Sequence, residues 1–72
     1  MTALEFFNRL GGTVTYVYPP IPIRTEDYQA FHQAFTDQET GGEVSIGHGA
    51  TAEAAARMAL EVMVERIEEV LS

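Results

Sequence analysis

Seventy-two residues with 4 basic against 11 acidic side chains, a net charge of −7 and a pI near 4.5 describe one small acidic domain spanning residues 1–72. The chain has no cysteine, so no disulfide supports the thin core that so short a chain can bury. Its basic groups are only Arg9, Arg24, Arg57 and Arg66, with no lysine, which excludes the cationic footprint that phosphate-backbone binding needs.

The opening "MTALEFFNRLGG" lacks the basic start and long apolar run of a signal peptide. No stretch reaches the roughly 18 apolar residues of a membrane span. The expected location is the cytoplasm of a bacterial host, with no membrane partner. Thr2 to Leu10 reads as a short helix. Thr2 is placed to cap its start, Leu4, Phe7 and Leu10 recur at helical spacing, Phe6 and Phe7 are expected core residues, and Gly11-Gly12 supplies a left-handed stop.

"TVTYVY", Thr13 to Tyr18, is wholly β-branched or aromatic and predicts a strand with Val14, Tyr16 and Tyr18 on one face. Pro19, Pro20 and Pro22 then forbid further pairing and make a stiff corner or edge, or a polyproline surface for a partner's groove. "EDYQAFHQAFTD" fits a helix through Tyr28, Phe31 and Phe35, or a strand. The strand is favoured because "TDQETGGE" follows as a hairpin connection turning at Gly41-Gly42. The returning strand is then Val44 to Gly47.

Thr51 is a good N-cap with Glu53 in the first turn, and Ala52 to Leu71 runs without Gly or Pro, predicting a long helix. Ala56, Ala59, Leu60, Met63, Ile67, Val70 and Leu71 form its apolar stripe. Glu53, Arg57, Glu61, Glu65 and Glu68 lie opposite, with Glu53–Arg57 a favourable i,i+4 pair. The expected fold is α+β: α-β-β-β-α, a three-stranded antiparallel sheet with both helices on one face.

No catalytic constellation assembles from these residues. Ser45 and His48 lie three apart without an orienting acid, and the adjacent carboxylates Glu26-Asp27 and Glu68-Glu69 do not face each other. His32 and His48 lack metal-ligand spacing and read as a half-exposed strand residue and a loop residue. The expectation is therefore no enzyme, no metal and no cofactor. Gly47 and Gly49 read as supplying backbone angles for the entry into the last helix.

With the joint "GHGAT" opening the last helix and alanines at Ala55 and Ala59, the layout resembles the double-stranded-RNA-binding domain. In that family the residues after the helix cap include lysines that grip phosphates. The matching positions here are Ala52, Glu53 and Ala56, so the resemblance implies the fold and argues against RNA binding. Members without those lysines commonly mediate protein–protein contacts.

"YPPIPIR", then "DYQA", then "IGHGAT" together resemble a group of small proteins of tailed phages and prophages. That resemblance implies a phage setting, in which small acidic proteins often inhibit host defence by docking on a nuclease or surveillance complex. Ala54 stands where an acid would complete a capping box.

The acids crowding the C-terminal half of the last helix point the same way. Glu61, Glu65, Glu68 and Glu69 repel one another and oppose the helix dipole, at roughly 0.3–1 kcal/mol for each acid near the C-terminus. Either they form a solvated face kept for solubility, or an acidic ridge imitating phosphates for a basic groove. Asp37 and Glu39 in the hairpin loop make a second acidic patch. The expected function is protein–protein binding by a small acidic phage-type accessory protein, inhibiting a host defence complex in the manner of an anti-CRISPR protein or nucleic-acid mimic. The alternative is a lysine-free dimerisation or adaptor module. The expected partner is a host protein or a second copy of the chain, and not nucleic acid.

Overall fold

The computed structural model describes residues 1–17, 27–37 and 39–72. Five elements follow the expected order: α1 (Ala3–Arg9), β1 (Thr13–Tyr16), β2 (Tyr28–Phe31), β3 (Gly47–Gly49) and α2 (Ala52–Leu71). The sheet is antiparallel in the order β1-β2-β3, and the helices pack against one face of it.

Local chemistry sets most boundaries. The Thr2 hydroxyl accepts the Glu5 N–H at 3.1 Å and opens α1. Gly11, at φ +93°, ends it in the left-handed region. The Thr51 hydroxyl accepts the Ala54 N–H at 3.1 Å and opens α2. The hairpin connection turns through Gly41 at φ +74°. It is closed by Asp37 N–H to the Gly42 carbonyl and Gly41 N–H to the Asp37 carbonyl, both 2.7 Å, beside a bridge between Thr36 and Glu43.

The sheet register places Val14, Ala30 and Gly47 in one row, and Tyr16, Tyr28 and Gly49 in the next row of the same face. Those rows look onto α2. The fully buried core is Phe7, Ala30, Ala55, Ala56 and Ala59, flanked by Leu4, Val14, Tyr28, Ile46, Leu60 and Met63. A core dominated by alanine brings helix and sheet backbones close together. Phe7, from α1, is the one large fully buried side chain among the described residues and lies against Gly12.

Several expectations are corrected. Phe6 is 46% exposed, because α1 turns a single face to the core and Phe7 occupies it. The second strand stops at Phe31 instead of running through the segment, because a turn closed by Phe35 N–H to the His32 carbonyl (2.9 Å) interrupts the ladder. Pairing resumes at Val44 N–H to the Phe35 carbonyl, 3.2 Å. The third strand is Gly47–Gly49, the glycine joint itself, and not Val44 to Gly47. The first strand is described to Tyr16, with the Val17 N–H continuing to the Asp27 carbonyl at 2.7 Å. Tyr18 and the Pro19–Pro22 segment lie outside the described residues.

Gly47 and Gly49 serve a different purpose from the expected one, since neither has a positive φ. A Cβ on Gly47 would collide with the Ala55 carbonyl oxygen and stand 2.7 Å from the Ala59 nitrogen. A Cβ on Gly49 would lie 2.7 Å from the Ala54 Cβ. These glycines exist to let β3 press its backbone onto α2.

Candidate partner-binding surface

The candidate acids belong to α2 and to the hairpin, and the two groups differ. Asp37 is committed to its turn: its Oδ1 accepts the Glu39 N–H at 2.8 Å, an Asx-type contact that shapes the loop. Glu39 is exposed on the same turn. Glu61, Glu65, Glu68 and Glu69 are all exposed on α2. At 100° per residue they fall within an arc of about 100°, so the structure assembles them into one crest. Glu69 lies 3.7 Å from Arg66, whereas Glu61, Glu65 and Glu68 form no ion pair with a described residue.

The helix carrying this crest outruns the domain. Every residue from Val64 to Ser72 is exposed, so the apolar stripe expected along α2 is covered only as far as Met63. Beyond it, Ile67 is 55%, Val70 75% and Leu71 80% exposed. The sequence period placed these residues on the core face, but the sheet is too small to reach them.

Beside the crest, α1 and α2 enclose an open groove of about 720 Å³ lined by Met1, Phe6, Leu60 and Val64, with Arg57, Glu61 and Glu65 at its side. A smaller hollow on the other flank, about 250 Å³, is lined by Phe35, Val62, Glu65, Arg66 and Glu69. Glu65 stands between the two.

Glu53, read from sequence as a first-turn acid paired with Arg57, does more than that. Its carboxylate accepts the Ala3 N–H at 2.9 Å and the Leu4 N–H at 3.0 Å, closing the N-terminus of α1 from across the fold. The expected Arg57 contact is present but long, 3.5 Å. The Leu4 and Ala3 N–H bonds, opposed by partial burial and helped by Arg57, hold the Glu53 carboxyl below its ordinary value of 4.5. This acid fastens the two helices together. Sequence spacing could not reveal it, because the partners are far apart along the chain.

His32 is buried, contrary to its expected half-exposure. Its Nδ1 accepts the Ala34 N–H at 3.0 Å, which places the proton on Nε2, and Nε2–H donates to the Leu10 carbonyl at 2.7 Å. Both ring nitrogens are engaged, and the ring packs against Phe7 and Phe35. His48 is exposed and opposite Gln29 in the sheet. The Ser45 hydroxyl donates to the Gly47 carbonyl at 3.1 Å. Among the described residues no cluster of three His, Asp or Glu side chains could hold a metal ion, and no helix is long and apolar enough to cross a membrane.

The chain matches no family model, no curated protein and no solved structure, so its functional reading rests on its own surface.

Proposed function

We propose that this is a small acidic accessory protein of the phage type its motifs resemble, acting by protein–protein binding. The acidic crest of α2 docks in a basic groove of a host protein, one that otherwise holds nucleic acid, and so inhibits a defence complex. One observation carries this reading: Glu61, Glu65, Glu68 and Glu69 stand together on an exposed helix that projects past its own core. A helix end with negative dipole and four acids is unfavourable in isolation, and it becomes favourable against a cationic surface. Charge of this kind speeds encounter with a positive partner by about 10–10³-fold and makes the rate salt-sensitive.

The test is affinity capture from bacterial host lysate with the wild-type chain and with the Glu61→Lys, Glu65→Lys double variant. Loss of the captured protein in the variant is expected. Unchanged capture refutes the crest as the contact. A second reading, a lysine-free dimerisation or adaptor module, is favoured by the exposed Ile67, Val70 and Leu71 on the same helix.

A further inference from the structure

We infer that the groove between α1 and α2 receives a basic amphipathic helix of a protein partner, its apolar stripe on Phe6 and Val64 and its lysines or arginines on Glu61 and Glu65. The inference rests on the reading of α2 as a protein-binding helix and deepens it, by naming the element of the basic partner that the crest meets.

The lining sets the chemistry of the occupant. Met1, Phe6, Leu60 and Val64 give the groove an apolar floor, and Glu61 and Glu65 stand at its side. Met1, Phe6 and Val64 are 76%, 46% and 53% exposed, so most of that floor faces solvent, while Leu60 is half-buried against the core. Around α2, Glu61 and Glu65 lie about 60° and 100° from Val64, on the side away from Leu60. Arg57 is turned to Glu53 at 3.5 Å, whereas Glu61 and Glu65 form no ion pair with a described residue. Two such carboxylates beside an apolar floor reject nucleic acid, anionic headgroups and acidic chains, a second copy of this −7 chain included. They select an occupant that is apolar on one face and cationic on the adjoining one.

The walls set its conformation. An extended peptide binds by pairing its main chain with a strand edge, and here both walls are helices. The start of α1, where free N–H groups would be sought, is already occupied. Ala3 and Leu4 N–H donate to Glu53, Glu5 N–H to the Thr2 hydroxyl, and Phe6 N–H to the Thr2 carbonyl. The walls therefore offer side chains alone. An extended segment laid on them would bury N–H and C=O groups without partners, whereas a helix satisfies its own.

The spacing fits that choice. Along α2 the groove runs from Arg57 to Glu65, about 12 Å or two turns, and Glu61 and Glu65 are one turn apart, about 6 Å. A helix lying beside α2 presents apolar anchors at i, i+4 and i+7, with cations at i and i+4 on the same step.

Isothermal titration calorimetry of the full chain with two synthetic peptides tests the inference. Each peptide has about 14 residues, four helical turns, built from alanine, leucine and lysine. The first carries its leucines in one stripe with lysines a turn apart beside them. The second has the same composition with the leucines scattered around the helix. The striped peptide is expected to bind at least about tenfold more tightly than the scattered one. Phe6→Ser with Val64→Ser, its helical signal intact, is expected to weaken the striped peptide by about tenfold. Glu61→Gln with Glu65→Gln does the same, and since both side chains are exposed the fold tolerates the change. Glu69→Gln, outside the groove and beside Arg66, changes affinity by less than about threefold at 0.15 M salt.

Equal binding of the two peptides overturns the inference, because charge alone then holds them. So does binding of neither, and so does an affinity indifferent to Phe6 and Val64 or to Glu61 and Glu65. Host-lysate capture separates this result from the binding proposal. Capture still lost on Glu61→Lys, Glu65→Lys, with no preference for the striped peptide, sinks the groove and leaves the crest standing. A striped peptide seated in the groove, with capture unchanged by those lysines, sinks the crest and leaves the groove.

Discussion

Gly47→Ala adds one methyl where β3 meets α2. The new Cβ would sit 2.7 Å from the Ala59 nitrogen, closer still to the Ala55 carbonyl oxygen, and 3.1 Å from the Ala59 Cβ. Ordinary contact begins at 3.4 Å, so the strand must retreat by at least about 0.7 Å to clear the Ala59 nitrogen, and by more to clear the Ala55 oxygen. Two of the three obstructing atoms are helix backbone and cannot rotate away.

A gap of that size forfeits about a quarter to a half of the attraction in each facing contact. It opens beside Ala30, Ala55, Ala56 and Ala59, four of the five fully buried hydrophobic residues among those described. Overpacking of this kind costs about 1–3 kcal/mol, and the gain from replacing glycine in a strand returns roughly 0.5–1 kcal/mol. The expected net loss is about 1–2 kcal/mol from a total of roughly 4–11 kcal/mol for a chain of this length. In a domain this small that lowers Tm by about 4–16 °C.

Thermal unfolding followed by circular dichroism reads the shift, with Gly42→Ala as the control. A Cβ there meets the Thr40 hydroxyl at 3.4 Å in ordinary contact, and Gly42 does not have a positive φ. A Gly47→Ala chain as stable as the Gly42→Ala chain would refute the close-approach account of the joint.

Glu53→Gln keeps the side chain's shape but removes the charge that closes α1. Because the folded carboxyl is held below 4.5, its contribution is present above that value and is lost as pH falls through the lower folded one. The variant is therefore expected to melt below wild type at neutral pH and to converge with it under acid. A gap that stays constant down to the acid end of the titration would contradict this. His32→Phe preserves an aromatic ring between Phe7 and Phe35 but strands the Leu10 carbonyl and the Ala34 N–H. A loss of about 1–3 kcal/mol in urea unfolding, with an unchanged m-value, is expected. Equal stability would mean that water replaces both bonds at no cost.

The signals that were legible in the sequence are local ones. Thr2 and Thr51 mark helix starts because a hydroxyl at that position meets an N–H within the next turn. Gly11 marks a stop and Gly41 a turn because each needs a left-handed backbone. β-branched and aromatic residues mark β1, and twenty residues without Gly or Pro mark α2. These interactions span only a few residues, so they sufficed for the α-β-β-β-α order, with the second strand chosen over a helix by the hairpin connection that follows it.

Whatever depended on how far the sheet extends was decided by the tertiary structure. Period placed Ile67, Val70 and Leu71 beside the true core residues, since a helix repeats its faces whether or not anything covers them. Only the short strands show where the covering ends. Likewise Gly47 and Gly49 look like hinge glycines in sequence, and they prove to be contact glycines once Ala54, Ala55 and Ala59 arrive against them. Glu53 and His32 hold bonds to residues far away in the chain, and no pattern along the sequence encodes a partner brought close only by folding.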